Sequence, residues 1–479
     1  MQQSISIAPA KPFSGVPGIH APALIGAEPG KPFLFRIPVT GERPLVCRAE
    51  GLPDGLTLEG QIISGTVPHE GSCPLRLIAE NAAGRNERTV TLDVRPGGVL
   101  LTPLMGLTTW NAFGSRVSQE KVLGAARRLI NLGLAEYGYG YVNIDSGWQG
   151  QYGGAHDAIQ PNEKFPDMRA LCDELHAMGL HAGIYATPML TAWGCPEELP
   201  SIPGCTRGEP DELFADVNGG IGRERCEQNN ADQWAEWGFD YLKYDWHPCD
   251  PYNAERMRQA LLSTGRSFGF CVTVTAVREY HRYWRSRCSS FRCGTDTDGT
   301  WATHMKIYRG IFDFLEDPNR GHFFDMDMLD VGTPHQNDAF CCRLTEDEQV
   351  AVFTMRAFFQ SPLQIGSTLE AVTPFELSLY ANEEVLAVHQ DTLCAPARPC
   401  LIREEGQTVV HAFTKRLADG SIAYAVFDLG ETAQPVTLWL DGEHRIRDLW
   451  QKRDIASASR IDLTMPPHSA RLFRCVPVE

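Results

Sequence analysis

Aspartates follow several of the apolar segments in the middle of this chain. Asp145 ends the segment YGYVNID, Asp245 ends FDYLKYD, Asp296 lies in CGTDTD, and Asp327 lies in HFFDMDML. A single aspartate after a strand is weak evidence, because helices often begin with an aspartate at the N-cap. Its repetition over successive segments predicts that carboxylates collect at one edge of a sheet.

Aromatic residues lie close in sequence to these aspartates, and they narrow the expected chemistry. They are Trp110, Trp148, Tyr185, Trp246 and Trp301. Carboxylates accept hydrogen bonds from hydroxyl groups, and aromatic rings stack on the C–H faces of sugars. The combination predicts a carbohydrate site, in which we expect Trp110 to face the sugar.

The spacing inside FDYLKYD suggests a mechanism. Lys243 and Asp245 are two positions apart, so on a strand both side chains point to the same side. An ammonium group beside a carboxylate favours the ionised form, which a nucleophile needs. Asp296 is then the candidate proton donor, and Arg292, four residues earlier, the candidate that orients the site. The alternative is that Lys243 and Asp245 form a purely structural ion pair.

The charge balance restricts the classes of partner. The chain has 479 residues, of which 43 are basic and 60 acidic, for a net charge of −17. Such a surface repels phosphate backbones and anionic lipids, so we expect neither nucleic acid nor a membrane as a partner. Sugars are neutral and are not repelled. We expect a carbohydrate partner and leave homo-oligomerisation open.

The 15 cysteines show no repeated spacing, which favours reduced thiols over a disulfide framework. The N-terminal residues MQQSISIAPAKPFSGVPG lack the pattern of a secretory signal. Both features predict a cytoplasmic protein; a secreted one would need a signal outside this sequence. His247, Cys195, Cys205 and Cys226 have no zinc-ligand spacing, so we expect no metal site.

The hydrophobic pattern changes twice along the chain, which predicts a multidomain α/β protein with three domains. Residues 1–98 read as short alternating strands and resemble immunoglobulin-like β-sandwich modules. Residues 99–392 alternate apolar segments with helical ones, which is typical of a (β/α)8 TIM barrel. Residues 393–479 return to alternating strands and predict an antiparallel β-sandwich.

Eight segments of the middle region are the expected barrel strands. They are LMGLTTW, YGYVNID, LHAGIYA, FDYLKYD, FGFCVTVT, the residues before CGTDTD, HFFDMDML and PLQIGS. Helices are expected from Asp167 to Gly179 and from about Ala231 to Gly238. The alternative is an open doubly wound sheet, but no segment is followed by the Gly-x-Gly-x-x-Gly loop of its nucleotide-binding form.

Several of these segments together resemble the glycoside hydrolase family of α-galactosidases and α-N-acetylgalactosaminidases, family 27. The resemblance covers nearly all of residues 100–475. It rests on the opening MGLTTW at 105–110, IDSGW at 144–148, GIY at 183–185, YLKYD at 241–245, Arg292 with Asp296 and Trp301, and DMDML at 325–329.

The resemblance implies a retaining, double-displacement exo-glycosidase without a metal or an organic cofactor. Asp245 is the implied nucleophile and Asp296 the implied general acid and base, and we expect about 5–5.5 Å between their carboxyl groups. The implied substrate-binding residues are Trp110, Asp145, Ser146, Tyr185, Lys243, Arg292 and Asp327.

Three departures from the family pattern bear on the substrate. Ser146 replaces the second acid of an Asp-Asp pair, so one charge-assisted contact to the sugar is lost. The segment Thr273-Val274-Thr275 replaces a Cys-Glu-Trp stretch that reads the 2-position of the sugar. His247 replaces a cysteine, so the usual disulfide is absent.

The departures leave alternatives open. We expect terminal α-D-galactosides as the substrates. A β-L-arabinopyranosidase or an α-N-acetylgalactosaminidase of the same family is the alternative within this class. A catalytically silent glycan-binding protein is the alternative outside it.

Overall fold

Three regions with different secondary structure follow one another along the chain. The computed structural model describes residues 5–190, 192, 211–217, 219–273, 278–315, 320–332 and 341–478. The predicted boundary 98/99 lies between the last strand of the N-terminal region and the first strand of the middle region. The predicted boundary 392/393 lies between the last helix of the middle region and the first strand of the C-terminal region. As domain limits they stay predictions.

The N-terminal region consists of short strands. They are β1 (Gly18–Ile19), β2 (Leu24–Ala27), β3 (Pro32–Arg36), β4 (Val39–Thr40), β5 (Leu45–Glu50), β6 (Leu56–Glu59), β7 (Ile62–Thr66), β8 (Gly71–Asn81) and β9 (Gly84–Val94). A four-stranded sheet has the order β2-β9-β8-β5, and a three-stranded sheet has the order β3-β7-β6. Leu75, Leu77, Val90 and Leu92 belong to the buried core of this region. The arrangement is that of a sandwich, while its immunoglobulin-like character stays a prediction.

The middle region contains the eight predicted strands in one parallel sheet. They are β10 (Met105–Thr108), β11 (Tyr141–Ile144), β14 (His181–Ala186), β15 (Tyr241–Asp245), β16 (Gly269–Thr273), β17 (Ser290–Arg292), β18 (Phe323–Asp325) and β19 (Leu363–Ile365). The order is β18-β17-β16-β15-β14-β11-β10-β19. A parallel bridge between Leu329, just after β18, and Ile365 in β19 joins the two ends of the sheet. The TIM-barrel prediction is confirmed.

Helices and one hairpin connect the barrel strands, and two further helices, the last two given below, follow the final barrel strand. The helices are α1 (Thr109–Phe113), α2 (Gln119–Asn131), α3 (Met168–Ala177), α4 (Glu227–Trp237), α5 (Pro251–Ser263), α6 (His281–Arg287), α7 (Trp301–Gly310), α8 (Glu346–Phe358), α9 (Pro374–Tyr380) and α10 (Glu383–His389). The hairpin comprises β12 (Gln149–Gly153) and β13 (Ala158–Pro161).

The two helices predicted in detail are present, with one difference in length. Asp167 caps α3 by accepting the N–H of Ala170 at 2.9 Å, and Gly179 follows the helix with φ +75. Helix α4 ends before Gly238 as expected but begins four residues earlier, at Glu227. Its first turn is polar, so the apolar spacing could not reveal it.

The C-terminal region is a six-stranded antiparallel sheet. Its strands are β20 (Arg398–Glu405), β21 (Thr408–Arg416), β22 (Ile422–Asp428), β23 (Gln434–Asp448), β24 (Arg453–Met465) and β25 (Ser469–Pro477), in the order β20-β21-β22-β25-β23-β24. Val426, Leu438 and Phe473 belong to its own buried core. Trp450 joins the sheet to the barrel, because its Nε1 donates to the Thr354 hydroxyl of α8 at 2.9 Å.

The N-terminal region is attached to the barrel by a buried carboxylate. Glu136 lies before β11, at the end of the barrel where the strands begin, and is 2% exposed. Its Oε1 accepts from Arg36 at 2.8 Å and from Arg43 at 3.1 Å, and its Oε2 accepts from Gln61 at 2.9 Å. The region is therefore docked at the end opposite the predicted site.

Candidate active site

The carboxyl ends of four barrel strands bring the predicted acidic residues to one end of the barrel. Strand β11 leads into Asp145, and β15 ends at Asp245. Strand β17 is followed by Asp296, and β18 by Asp327. Because parallel strands end at the same edge, these side chains face a common space, where barrel enzymes hold their active sites.

Asp245 is buried, and both of its carboxylate oxygens accept hydrogen bonds. The Tyr185 hydroxyl donates to Oδ2 at 3.0 Å, and the Thr273 hydroxyl donates to Oδ1 at 2.6 Å. Thr273 lies beside Asp245 in the register of β15 with β16. Burial raises the pKa of Asp245, while the charge of Lys243 and the bond from Thr273 work in the opposite direction.

Lys243 forms an ion pair with one of the aspartates and acts on a second through its charge. Its Nζ donates to Asp145 Oδ2 at 2.6 Å and lies 5.5 Å from the centre of the Tyr185 ring. Burial would lower the pKa of Lys243, but the charges of Asp145, Asp245 and Asp327 raise it. The direct partner of the ammonium group is thus Asp145, and its effect on the predicted nucleophile Asp245 acts through space.

Arg292 joins the other two predicted site acids. Its Nη2 donates to Asp296 Oδ1 at 2.8 Å, and its Nη1 lies 2.8 Å from Asp327 Oδ1. The Arg292 side chain is 2% exposed, whereas that of Asp296 is 68% exposed. Partial burial raises the pKa of Asp296, but the charges of Arg292 and Lys243 outweigh it and hold the pKa below its usual value.

Asp327 has a strained backbone that its neighbours hold in place. Its φ is +67, a left-handed value that costs energy for a residue other than glycine. Its N–H donates to Asp325 Oδ1 at 2.8 Å, and its Oδ2 accepts the N–H of Thr297 at 2.8 Å. The buried guanidinium of Arg356 donates to the carbonyls of Asp327 at 3.3 Å and Met326 at 2.7 Å. These bonds direct the Asp327 carboxylate toward Arg292.

Two of the expected aromatic residues belong to the barrel core. Trp148 is fully buried, and its Nε1 donates to the carbonyl of Tyr185 at 2.9 Å. Trp246 is also fully buried, and its Nε1 donates to Asp250 Oδ2 at 3.0 Å. Both tryptophans support site residues or the following helix, whereas the Tyr185 hydroxyl contacts Asp245 directly.

The remaining predicted residues lie near the same end of the barrel. Trp110 is half-buried in α1, directly after β10. Ser146 is buried next to Asp145, and its N–H donates to Asp145 Oδ1 at 2.8 Å. Trp301 begins α7, and its ring stacks on that of His468 from the C-terminal region, with 4.7 Å between the ring centres.

Several predictions concern residues outside the described part of the chain. These are Cys195 and Cys205 among the weighed zinc ligands, and Val274 and Thr275 at the altered end of the fifth strand. Within the described residues, no three His, Cys, Asp or Glu side chains are grouped as a metal would require. Over the same residues, no helix has the length and apolarity to cross a membrane.

Comparison with known proteins places the chain in a family. The profile described as alpha galactosidase A matches residues 102–203 and 216–391. The chain belongs to this family. The profile of the alpha galactosidase C-terminal beta sandwich domain matches residues 407–475. Neither match includes the N-terminal region.

Relatives of this α-galactosidase-family protein include enzymes and solved structures. Alpha-galactosidase 3 of Arabidopsis thaliana is 26% identical over 79% of this chain and 83% of its own. A candidate α-galactosidase/melibiase of Bacteroides fragilis is 28% identical, with a TM-score of 0.84 over 97% of this chain and 99% of its own. A family 27 β-L-arabinopyranosidase of Geobacillus stearothermophilus, in complex with arabinose, shares the fold at 22% identity, with a TM-score of 0.67 over 79% and 98%. The chain is therefore a glycoside hydrolase of the family 27 type.

Sequence reasoning named Thr273 and Asp325, but it did not predict the hydrogen bonds by which these and other side chains hold the site together. Thr273 donates a hydrogen bond to Asp245. Asp327 forms hydrogen bonds with the Asp325 carboxylate and with the N–H of Thr297. Arg356 donates to a carbonyl of the loop after β18. The position of Thr273 carried a usable signal, because it ends the strand that follows β15 and pairs with Asp245. Arg356 lies in helix α8, far from the site in sequence, and no pattern in the sequence pointed to its role.

Proposed function

We propose that the protein is a retaining exo-glycosidase that removes terminal α-D-galactoside-type residues by double displacement. The main support is the contrast between two carboxyl groups at one end of the barrel. Asp245 is buried and fixed by donors on both oxygens, whereas Asp296 is open to solvent beside Arg292. In this proposal Asp245 attacks the anomeric carbon, and Asp296 protonates the leaving oxygen and later activates water.

The charges around the two acids are suited to these roles once a sugar is bound. A substrate over Asp296 excludes water, which raises the pKa of this carboxyl group and favours the protonated form needed for donation. The Tyr185 and Thr273 hydroxyls stabilise the ionised form of Asp245. Formation of the glycosyl ester removes the negative charge of Asp245, which lowers the pKa of Asp296 and prepares it to act as a base.

Ser146 favours a second candidate substrate. It is buried beside Asp145 and is neutral, so it offers a sugar no carboxylate at this position. A pentopyranose, which lacks the hydroxymethyl group of galactose, needs fewer contacts there. The related Geobacillus stearothermophilus structure is a β-L-arabinopyranosidase in complex with arabinose. An α-N-acetylgalactosaminide is the third candidate, tied to the altered end of the fifth strand.

The cellular setting is part of the proposal. Cys172 and Cys288 are buried free thiols, which supports the expected reducing, cytoplasmic compartment. Burial raises the pKa of both thiols, so they are poor nucleophiles and are suited to packing.

A panel of nitrophenyl glycosides tests the proposal. The sugars are α-galactoside, α-N-acetylgalactosaminide, β-L-arabinopyranoside and α-glucoside, each assayed with the wild type and Asp245→Asn. Asp173→Asn is the matched control, because it makes the same change on the exposed surface of α3. We expect turnover of the α-galactoside that Asp245→Asn abolishes and Asp173→Asn preserves, with retention of anomeric configuration in the first product seen by NMR.

Each other outcome has a definite meaning. Preferential turnover of the β-L-arabinopyranoside would replace the first substrate by the second and leave the mechanism intact. An inverted first product would exclude double displacement. A rate that Asp245→Asn leaves unchanged would refute the assignment of Asp245.

A further inference from the structure

A histidine from the C-terminal region contacts the helix that follows the proposed acid/base. His468 lies in the turn between β24 and β25, and its ring stacks on Trp301 with 4.7 Å between ring centres and 24° between the planes. Trp301 is the first residue of α7 and comes five positions after Asp296. The contact therefore links two domains at the base of the acid/base loop, residues 296–300.

The surroundings of His468 favour the imidazolium ion. Its Nδ1 lies 2.8 Å from Glu348 Oε1, and its Nε2 lies 3.3 Å from Glu431 Oε1. Both ring nitrogens face carboxylate oxygens, which accept hydrogen bonds. Only the doubly protonated ring can donate from both nitrogens at once. The bond to Glu348 raises the pKa of His468, and the nearby Asp428 carboxyl senses its positive charge. A cationic ring stacked on an indole is held more firmly than a neutral one.

Hydrogen bonds hold the loop that lies between Asp296 and Trp301. Thr300 caps α7 by accepting the N–H of Thr303, and Asp298 accepts from both the N–H and the hydroxyl of Thr300. One residue before Asp298, the N–H of Thr297 donates to Asp327. The loop is thus fixed at both ends, by Asp327 on one side and by the first turn of α7 on the other.

We infer that His468 is a positioning residue for the proposed acid/base step. By holding Trp301 from the C-terminal region, it fixes the first turn of α7 and keeps the exposed Asp296 carboxyl within reach of the leaving oxygen. The inference rests on the proposed role of Asp296. If the stack only joins two domains, its loss will affect all substrates equally.

Leaving groups of different basicity separate these two possibilities. A methyl glycoside needs a proton on its leaving oxygen, whereas a 4-nitrophenyl glycoside of the same sugar departs with little help. We expect His468→Ala to lower kcat/KM for the methyl glycoside about tenfold more than for the nitrophenyl glycoside, a part of the total effect of a general acid. His468→Arg should restore most of the ratio, because a guanidinium is a planar cation that stacks on indole and pairs with carboxylates.

Two further variants make the outcome decisive. Asp296→Ala gives the full leaving-group effect, and its absence would refute the proposed acid/base together with this inference. His411→Gln is the matched control, because His411 bonds the Tyr308 hydroxyl at 2.9 Å near the other end of α7. It should lower stability and leave the ratio unchanged.

The inference alone fails if Asp296→Ala shows the leaving-group effect while His468→Ala affects both substrates equally or not at all. His468→Gln provides the same comparison if the alanine variant does not fold. A ratio that changes as much in His411→Gln as in His468→Ala would also overturn it, because the effect would then come from domain docking in general.

Discussion

The hydroxyl of Thr273 offers a sharp test of how the barrel sets the protonation of Asp245. It donates to Asp245 Oδ1 at 2.6 Å, and Thr273 is 2% exposed. Thr273→Val removes the donor and keeps the shape of the side chain. The bond lowers the pKa of Asp245, so its loss will raise that pKa further above the usual value.

The expected size of the effect follows from the burial of the pair. A hydrogen bond to a charged group contributes about 1.5–3 kcal/mol. One pKa unit corresponds to about 1.36 kcal/mol, so the pKa of Asp245 should rise by about one to two units. A nucleophile must be ionised, and activity is lost as the pH falls through its pKa. The acidic limb of the kcat/KM profile should therefore move upward by the same one to two units, since kcat/KM reports the free enzyme.

The measurement is the pH profile of kcat/KM with a nitrophenyl glycoside that the enzyme turns over. Thr354→Val is the matched control, because Thr354 is fully buried and accepts from Trp450 at 2.9 Å, at the interface with the C-terminal region. It makes the same chemical change away from Asp245 and should leave the acidic limb in place. If the limb coincides in the wild type and Thr273→Val, the Thr273 bond does not control the ionisation of Asp245, and our reasoning about this site is wrong.

Two further substitutions address the charges of the site and the attachment of the N-terminal region. Lys243→Met should also move the acidic limb of kcat/KM upward, because the charge of Lys243 lowers the pKa of Asp245; an unchanged limb would contradict this through-space effect. Glu136→Gln should lower the free energy of unfolding by about 1–3 kcal/mol, since Arg36 and Arg43 lose a buried anionic partner. Calorimetry measures this loss, kcat should stay unchanged, and an unaltered melting temperature would show that the cluster does not stabilise the protein.

The barrel could be predicted because each of its strands carries a local signal. In LHAGIYA and FDYLKYD, apolar residues are buried along the strand, and FDYLKYD ends at the polar residue Asp245. Helix α3 could be predicted from Asp167, which caps its N-terminus, and from Gly179, whose left-handed backbone follows its C-terminus. The predicted helix α4 was too short at its N-terminal end, because Glu227 and Asn230 are polar yet buried. Their burial depends on partners from other elements, which the sequence pattern does not show.

The candidate site could be predicted in its acids but not in its hydrogen bonds. Spacing along one strand placed Lys243 and Asp245 on the same side, yet Lys243 donates to Asp145, which directly follows another strand. The partner of a side chain is decided by the register between strands and by the rotamer, and neither is encoded in the spacing along a single strand. Contacts such as His468 with Trp301 join domains that are far apart in sequence, where one sequence has no local pattern to reveal them.

The balance of charge at the barrel mouth is itself an argument for the proposed chemistry. Five carboxyl groups meet here, those of Asp145, Asp245, Asp296, Asp325 and Asp327, and the cations beside them are Lys243, Arg292 and Arg356. Such an excess of acids repels an anionic substrate and is costly while the site is empty: burial in the first place, and neighbouring carboxylates in the second, raise the pKa of Asp245 and of Asp325. A glycosidic bond breaks through a transition state with positive charge on the sugar ring. Fixed acids stabilise that charge only when it develops. The repulsion among the acids in the empty site is then relieved, so the site binds the transition state more tightly than the substrate.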